Sequence, residues 1–277
     1  ARVATDAGPI ADAGRSASWI VGDYDVLFVG NSYVYTGDVP GRVRLLAAPS
    51  TTRIESIVFG GYRLSQHATD AETDGTTLAP FLRTGTVAER AFDAVILQEQ
   101  SQIGGFPESD PTRMESLDGA SRLAALARAN GSGVVLYLTW GRELGDDTNP
   151  GLFPTFEAMQ DRLDAGYRTM AMRLRDEGTR VRIAPVGAAF RVIHDDVVAD
   201  GLDPTTEGSA FDALYSPDGS HPSANGAYLI ALVIHATITD LDPTTLADAS
   251  DLDAATSSAL RDAAARVMRD PMWAEER

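Results

Sequence analysis

Short, wholly apolar runs recur along the chain, separated by longer stretches with apolar residues in roughly helical spacing. Residues 26–29 (Val-Leu-Phe-Val) form the first run and read as a strand buried on both faces. Further strands are expected over 53–59, closed by Gly60-Gly61, and over 92–97, 134–138 and 181–184. A helix is expected from about Asp38-Val39-Pro40, with Asp38 as its cap and Pro40 in its first turn. Residues 78–90 read as loosely helical, and Asp110-Pro111 opens a helix through about 129, stopped by Asn130-Gly131. Helices follow over 156–177, stopped by Gly178, and over 188–198. After a turn-rich loop over 216–223 comes a strongly apolar helix, 224–239, and then an amphipathic one, 251–269.

Five short strands alternating with helices predict an α/β fold with a parallel sheet covered on both faces. No repeat or linker divides it. Residues 23–277 therefore read as one domain, after a weakly patterned Ala/Gly/Ser-rich segment at 1–22. Four strands end in small or polar groups: Gly30-Asn31-Ser32, Gly60-Gly61, Gln98 and Thr139. Carboxyl ends of parallel strands share one edge, where open α/β sheets bind ligands, so these groups should converge.

Composition narrows the partners. With 40 acidic against 23 basic residues the net charge is −17, which opposes nucleic acid and anionic membranes. Every basic side chain other than histidine is arginine, and lysine is absent. A surface rich in Asp and poor in Lys suggests salt adaptation; codon bias in a GC-rich genome is the duller explanation. There is no cysteine and hence no disulfide framework or thiolate metal site. No stretch approaches the roughly 20 apolar residues of a membrane span. Residues 1–22 read either as the remainder of a removed leader or as a trimmed start, and a leader would favour a secreted or periplasmic location.

A serine just past a buried strand needs a base to become a nucleophile. The chain has four histidines. His235, inside an apolar helix, reads as packed, and His194, beside Asp195 and Asp196, as part of a solvated charge pair. His67, after Gly60-Gly61, is a candidate to line a site. His221 is different: it lies among Pro, Gly and Ser residues, three positions after Asp218. On a tight turn that spacing puts a carboxylate on one imidazole nitrogen and leaves the other facing outward. The simpler reading of the pair alone is a capping Asp and an exposed His.

Taken in order, Gly30-Asn31-Ser32-Tyr33, Gly60-Gly61, Gln98-Glu99-Gln100-Ser101 and Asp218-Gly219-Ser220-His221-Pro222 resemble the SGNH/GDSL hydrolase superfamily of esterases and lipases. The resemblance runs from Asp25 to about Thr239. It implies a flavodoxin-like three-layer α/β/α sandwich. It also implies Ser32 as nucleophile, His221 as general base and Asp218 as orienting acid. An oxyanion hole would be built from the Ser32 N–H, Gly60 or Gly61, and a third donor. The family's usual Asn after the third strand is absent. Gln98, or next Gln100, stands in its place, similar to the Gln-Gly-Glu-Ser variant of sialate and carbohydrate O-acetylesterases. The first motif departs from the common form, with Asn31 where Asp is usual. It is not the Gly-x-Ser-x-Gly elbow either, since Val34 fills the last position.

The expected function is a serine esterase acting on short, acetyl-type esters, O-acetyl groups on carbohydrates among them, with no cofactor or metal. Tyr33, Tyr62, His67 and Trp140 are expected to line the substrate pocket. Two alternatives keep the same residues: an acyltransferase that passes the acyl group to a sugar, and a non-catalytic glycan-binding module. A phosphate or nucleotide binder is disfavoured, because no Gly-rich loop with its lysine is present.

Overall fold

The computed structural model describes residues 23–50, 52–83, 91–274 and 276; the segment 1–22 and the end of the 78–90 stretch lie outside the described residues. The elements run β1 (Asp25–Gly30), α1 (Ser32–Tyr35), α2 (Val39–Ala47), β2 (Arg53–Val58), α3 (Leu64–Glu72), α4 (Ala79–Leu82) and β3 (Ala94–Leu97). They continue with α5 (Pro111–Ala129), β4 (Gly133–Tyr137), α6 (Phe156–Asp176), β5 (Val181–Ala184) and α7 (Val186–Ala199). Three helices close the chain: α8 (Ala224–Thr239), α9 (Ala254–Arg269) and α10 (Pro271–Ala274).

The five strands are all parallel, in the order β2-β1-β3-β4-β5. Helices α3, α5 and α6 pack together on one face; α2, α8 and α9 pack together on the other, with α7 against α8 and α9. This is the three-layer α/β/α sandwich. Strands β1, β3, β4 and β5 are buried throughout, which explains their unbroken apolar character. Strand β2 stands at the edge and is only partly buried, with Ile54 and Ile57 turned inward. Helix α8 is buried along almost its whole length between β5, α2 and α9, so it is apolar all round rather than on one stripe.

The strand order places the site. From β1 the chain moves to β2 on one side, then crosses back to β3 on the other. That reversal opens a crevice at the carboxyl ends of β1 and β3. The residue that follows Gly30 in this crevice is Asn31, and the next is Ser32.

Candidate active site

The turn after β1 is fixed by three hydrogen bonds around Asn31. Its Oδ1 accepts the Tyr33 N–H at 3.2 Å, capping α1, and its Nδ2 donates to the Tyr62 carbonyl at 2.9 Å. Its own backbone N–H donates to Gln98 Oε1 at 2.7 Å. Gly30 makes the last bond possible, because a Cβ there would stand 2.5 Å from Gln98 Oε1. Ser32 is thus the first residue of a short helix, earlier than the helix expected from Asp38. Asp38 does cap the following helix, α2, by accepting the Gly41 N–H at 3.2 Å.

His221 arrives on the loop ahead of α8. Asp218 Oδ1 accepts the backbone N–H groups of Ser220 and His221 at 3.0 and 2.9 Å. Its Oδ2 meets His221 Nδ1 at 2.6 Å, and His221 Nε2 meets Ser32 Oγ at 2.8 Å. With Nδ1–H turned to the carboxylate, Nε2 is the acceptor for the serine hydroxyl. Partial burial works to raise the Asp218 carboxyl, but the His221 ring and the two N–H groups together outweigh it and hold the group below the usual carboxylate range.

A second set of contacts braces this loop. Tyr33 Oη lies 2.6 Å from Ser220 Oγ, and the Trp140 indole N–H donates to the Ser220 carbonyl at 3.0 Å. Tyr33 stacks on Trp140 with centroids 4.5 Å apart, and Trp140 on Phe190 at 4.7 Å; the Tyr33 ring also stands edge-on to His221 at 5.3 Å. Tyr33 and Trp140 were expected to line a pocket, but both are buried. The stack turns their faces inward and spends their polar ends on Ser220.

The third-donor glutamines fall elsewhere than expected. Gln98 is fully buried, its Oε1 taken by Asn31 and its Nε2 donating to the Glu99 carbonyl. Its amide therefore shapes the serine turn and presents no N–H beside the hydroxyl. Gln100 is half-buried and its Nε2 donates to Gln102 Oε1 at 3.1 Å. By contrast, among the described residues the backbone N–H groups of Ser32, Gly60 and Gly61 have no protein acceptor. Gly61 takes φ +69°, a left-handed turn that favours glycine and leaves this backbone exposed.

His67 is also buried rather than lining a pocket. Its Nε2 bonds the Gly30 carbonyl at 2.8 Å and its ring lies against Tyr62. Burial lowers its pKa, outweighing the Gly30 carbonyl and the Asp70 charge, which act to raise it. Tyr62 is half-buried beside the Asn31 side chain. His194 is not solvated: Phe156 and Phe211 cover its ring while Nδ1 bonds Asp195 at 2.8 Å.

Three contributors were not expected from the sequence. Ser220 is the hub of the brace. Arg142 reaches Gln102 Oε1 at 3.0 Å and Asp146 at 2.6 Å, at the mouth of the loop after β4. Glu99, fully buried, accepts the N–H groups of Leu64 at 3.2 Å and Gln100 at 2.6 Å, tying the start of α3 to the end of β3. Burial pushes its pKa up. Among the described residues no three His, Asp or Glu side chains are grouped to hold a metal ion, and no helix is long and apolar enough to cross a membrane.

No family model matches the sequence, and no curated protein does. Solved structures do. A candidate SGNH hydrolase from Slackia heliotrinireducens is 26% identical, with a TM-score of 0.59, covering 78% of this chain and 100% of that one. The fold is that of the SGNH/GDSL hydrolase superfamily. Two further structures share the SGNH-type fold at 16% identity. One is a DUF4886 family protein from Bacteroides uniformis, with a TM-score of 0.65 over 90% of this chain and 96% of that one. The other is a catalytic mutant of the acetylxylan esterase Axe2 from Geobacillus stearothermophilus, with a TM-score of 0.50 over 79% and 95%.

Proposed function

We propose that the chain is a serine esterase that hydrolyses short-chain, acetyl-type esters, with O-acetyl groups on carbohydrates as the favoured substrates. One observation carries the reading: a single line of contacts joins Ser32 Oγ, His221 and Asp218 at 2.8 and 2.6 Å. Its position at the crevice of an SGNH-type fold supports it, as does the likeness to a candidate SGNH hydrolase. The acetyl and carbohydrate preference draws on the resemblance of the sequence motifs.

In the reaction, Ser32 Oγ bonds to the ester carbonyl carbon while its proton passes to His221 Nε2. Asp218 holds the ring in place and stabilises the imidazolium. The carbonyl oxygen, now negative, is received by the N–H of Ser32 and those of Gly60 or Gly61. Each such donor is worth about 3 kcal/mol, or roughly 10²–10³ in rate. Collapse breaks the bond to the alcohol, which leaves with the His221 proton. Water then attacks the acyl-serine, giving a proton to His221 that returns to Ser32 Oγ as the acid departs. Gln98 serves this hole indirectly, by fixing the turn that aims the Ser32 N–H.

Labelling with a serine-directed fluorophosphonate and mapping the modified peptide tests the reading. The tag is expected on Ser32, and Ser32→Ala is expected to abolish both labelling and p-nitrophenyl acetate hydrolysis while the fold is retained. Labelling at another serine, or hydrolysis that survives Ser32→Ala, would overturn it.

A further inference from the structure

We infer that the groove between α3 and α5 seats the alcohol portion of the substrate and selects a neutral oligosaccharide over an acidic one; this rests on the esterase reading above. The groove encloses about 640 Å³, within the range of about 300–1,000 Å³ of small-molecule sites. It begins at Tyr62, whose carbonyl is tied to Asn31, the residue before Ser32, at 2.9 Å. Gly60 and Gly61, the backbone donors, immediately precede Tyr62. The groove therefore starts beside the turn that carries Ser32, and the inference assigns the alcohol side of the ester to it.

The lining suits a sugar chain. A pyranose offers apolar C–H faces and a belt of hydroxyls that both donate and accept. Tyr62 supplies a half-buried ring, and Met114, 58% exposed, a polarisable apolar surface opposite. Ser65, Gln66 and Thr69 on α3 supply neutral hydrogen-bonding groups, and Glu115 on α5 an acceptor for sugar hydroxyls.

Charge sets the selectivity. Asp70, Glu115 and Asp118 line the groove against one cation, Arg122. That guanidinium is already committed, to Glu72 at 3.0 Å and to Asp118 at 3.5 Å. A uronate carboxylate would meet a negative field and no available partner, whereas an uncharged glycan loses nothing to it.

The test is calorimetric titration of the intact protein with xylohexaose, mannohexaose, cellohexaose and hexagalacturonate. At least one neutral chain is expected to bind and hexagalacturonate is not. Met114→Ala is expected to weaken the neutral chain by roughly fivefold or more, and Glu115→Arg to bring hexagalacturonate into detectable binding. Both side chains are exposed, and circular dichroism checks that the variants fold. If no neutral chain binds, if both variants bind as the parent does, or if hexagalacturonate binds the parent more tightly, the inference is wrong. Hydrolysis of p-nitrophenyl acetate by the same preparations separates the two readings. Hydrolysis without glycan binding removes the groove assignment and leaves the esterase; glycan binding without hydrolysis removes the esterase, and with it the alcohol-side assignment.

Discussion

The Tyr33 hydroxyl meets the Ser220 hydroxyl at 2.6 Å. This contact lies one residue after Ser32 and one residue before His221, so the turn after β1 and the loop before α8 are joined by two adjacent rungs. The second rung, unlike the first, takes no part in moving protons in the proposed reaction. It holds the two loops in register while the Ser32–His221 bond is broken and remade.

Tyr33→Phe and Ser220→Ala are each expected to lower kcat by between about tenfold and a hundredfold, the cost of a small misplacement of reacting groups, with KM little changed. Trp140→Phe keeps the ring stack but loses the N–H to the Ser220 carbonyl, and should act in the same direction. Steady-state kinetics on p-nitrophenyl acetate check this. A rise in KM at constant kcat would mean that these rings contact substrate instead.

Gln98 is expected to behave as a structural residue under the serine. Gln98→Ala leaves the buried Asn31 N–H without its acceptor, which should cost about 1–3 kcal/mol of stability along with activity. Chemical denaturation measures it. Lost activity with unchanged stability would return Gln98 to the role of an oxyanion donor.

His235 makes stability depend on pH. Its Nδ1 lies 2.9 Å from the Tyr24 hydroxyl, and burial lowers its pKa from 6.5 to about 4. Between those values the unfolded chain holds the extra proton, so this contribution is complete above pH 6.5 and is lost as pH falls towards 4. The loss amounts to about 3 kcal/mol. His235→Gln keeps an acceptor for Tyr24 and should flatten this part of the curve. Urea midpoints at pH 7 and pH 4.5 for parent and variant give the comparison, and parallel losses in the two would place the acid sensitivity elsewhere.

The charge of −17 predicts a response to salt. Screening of carboxylate repulsion should raise the melting temperature by several degrees between 0.05 M and molar KCl. A flat response would leave the Arg-for-Lys bias as a matter of coding alone.

Much of this was legible in the sequence, and the pattern of failures is physical. The strands were readable because burial on both faces leaves an unbroken apolar run, α5 because its Asp110-Pro111 start and apolar spacing agree, and α8 because a long apolar stretch follows a turn-rich loop. Ser32, Asp218 and His221 were readable because each sits in a local motif whose spacing sets its geometry. Tyr33, Trp140 and His67 were misplaced for a different reason. An aromatic at a strand end looks the same whether it faces a pocket or packs beneath a loop, and only the neighbours decide. The path of the Gln98 amide was not readable because it depends on Gly30, which lies on the neighbouring strand but far away along the chain. The contacts of Arg142 with Gln102 and of Ser220 with Tyr33 were not readable, since those partners lie 40 and 187 residues distant.

Helix α8 has one more consequence. The loop in front of it delivers His221 to a serine 189 positions earlier, and α8 reaches its place only by docking between β5, α2 and α9. Before that docking, Ser32 is an ordinary alcohol with no proton acceptor beside it. In the proposed reaction a half-assembled chain would therefore be chemically silent toward esters, and a serine-directed reagent would count finished molecules rather than total protein.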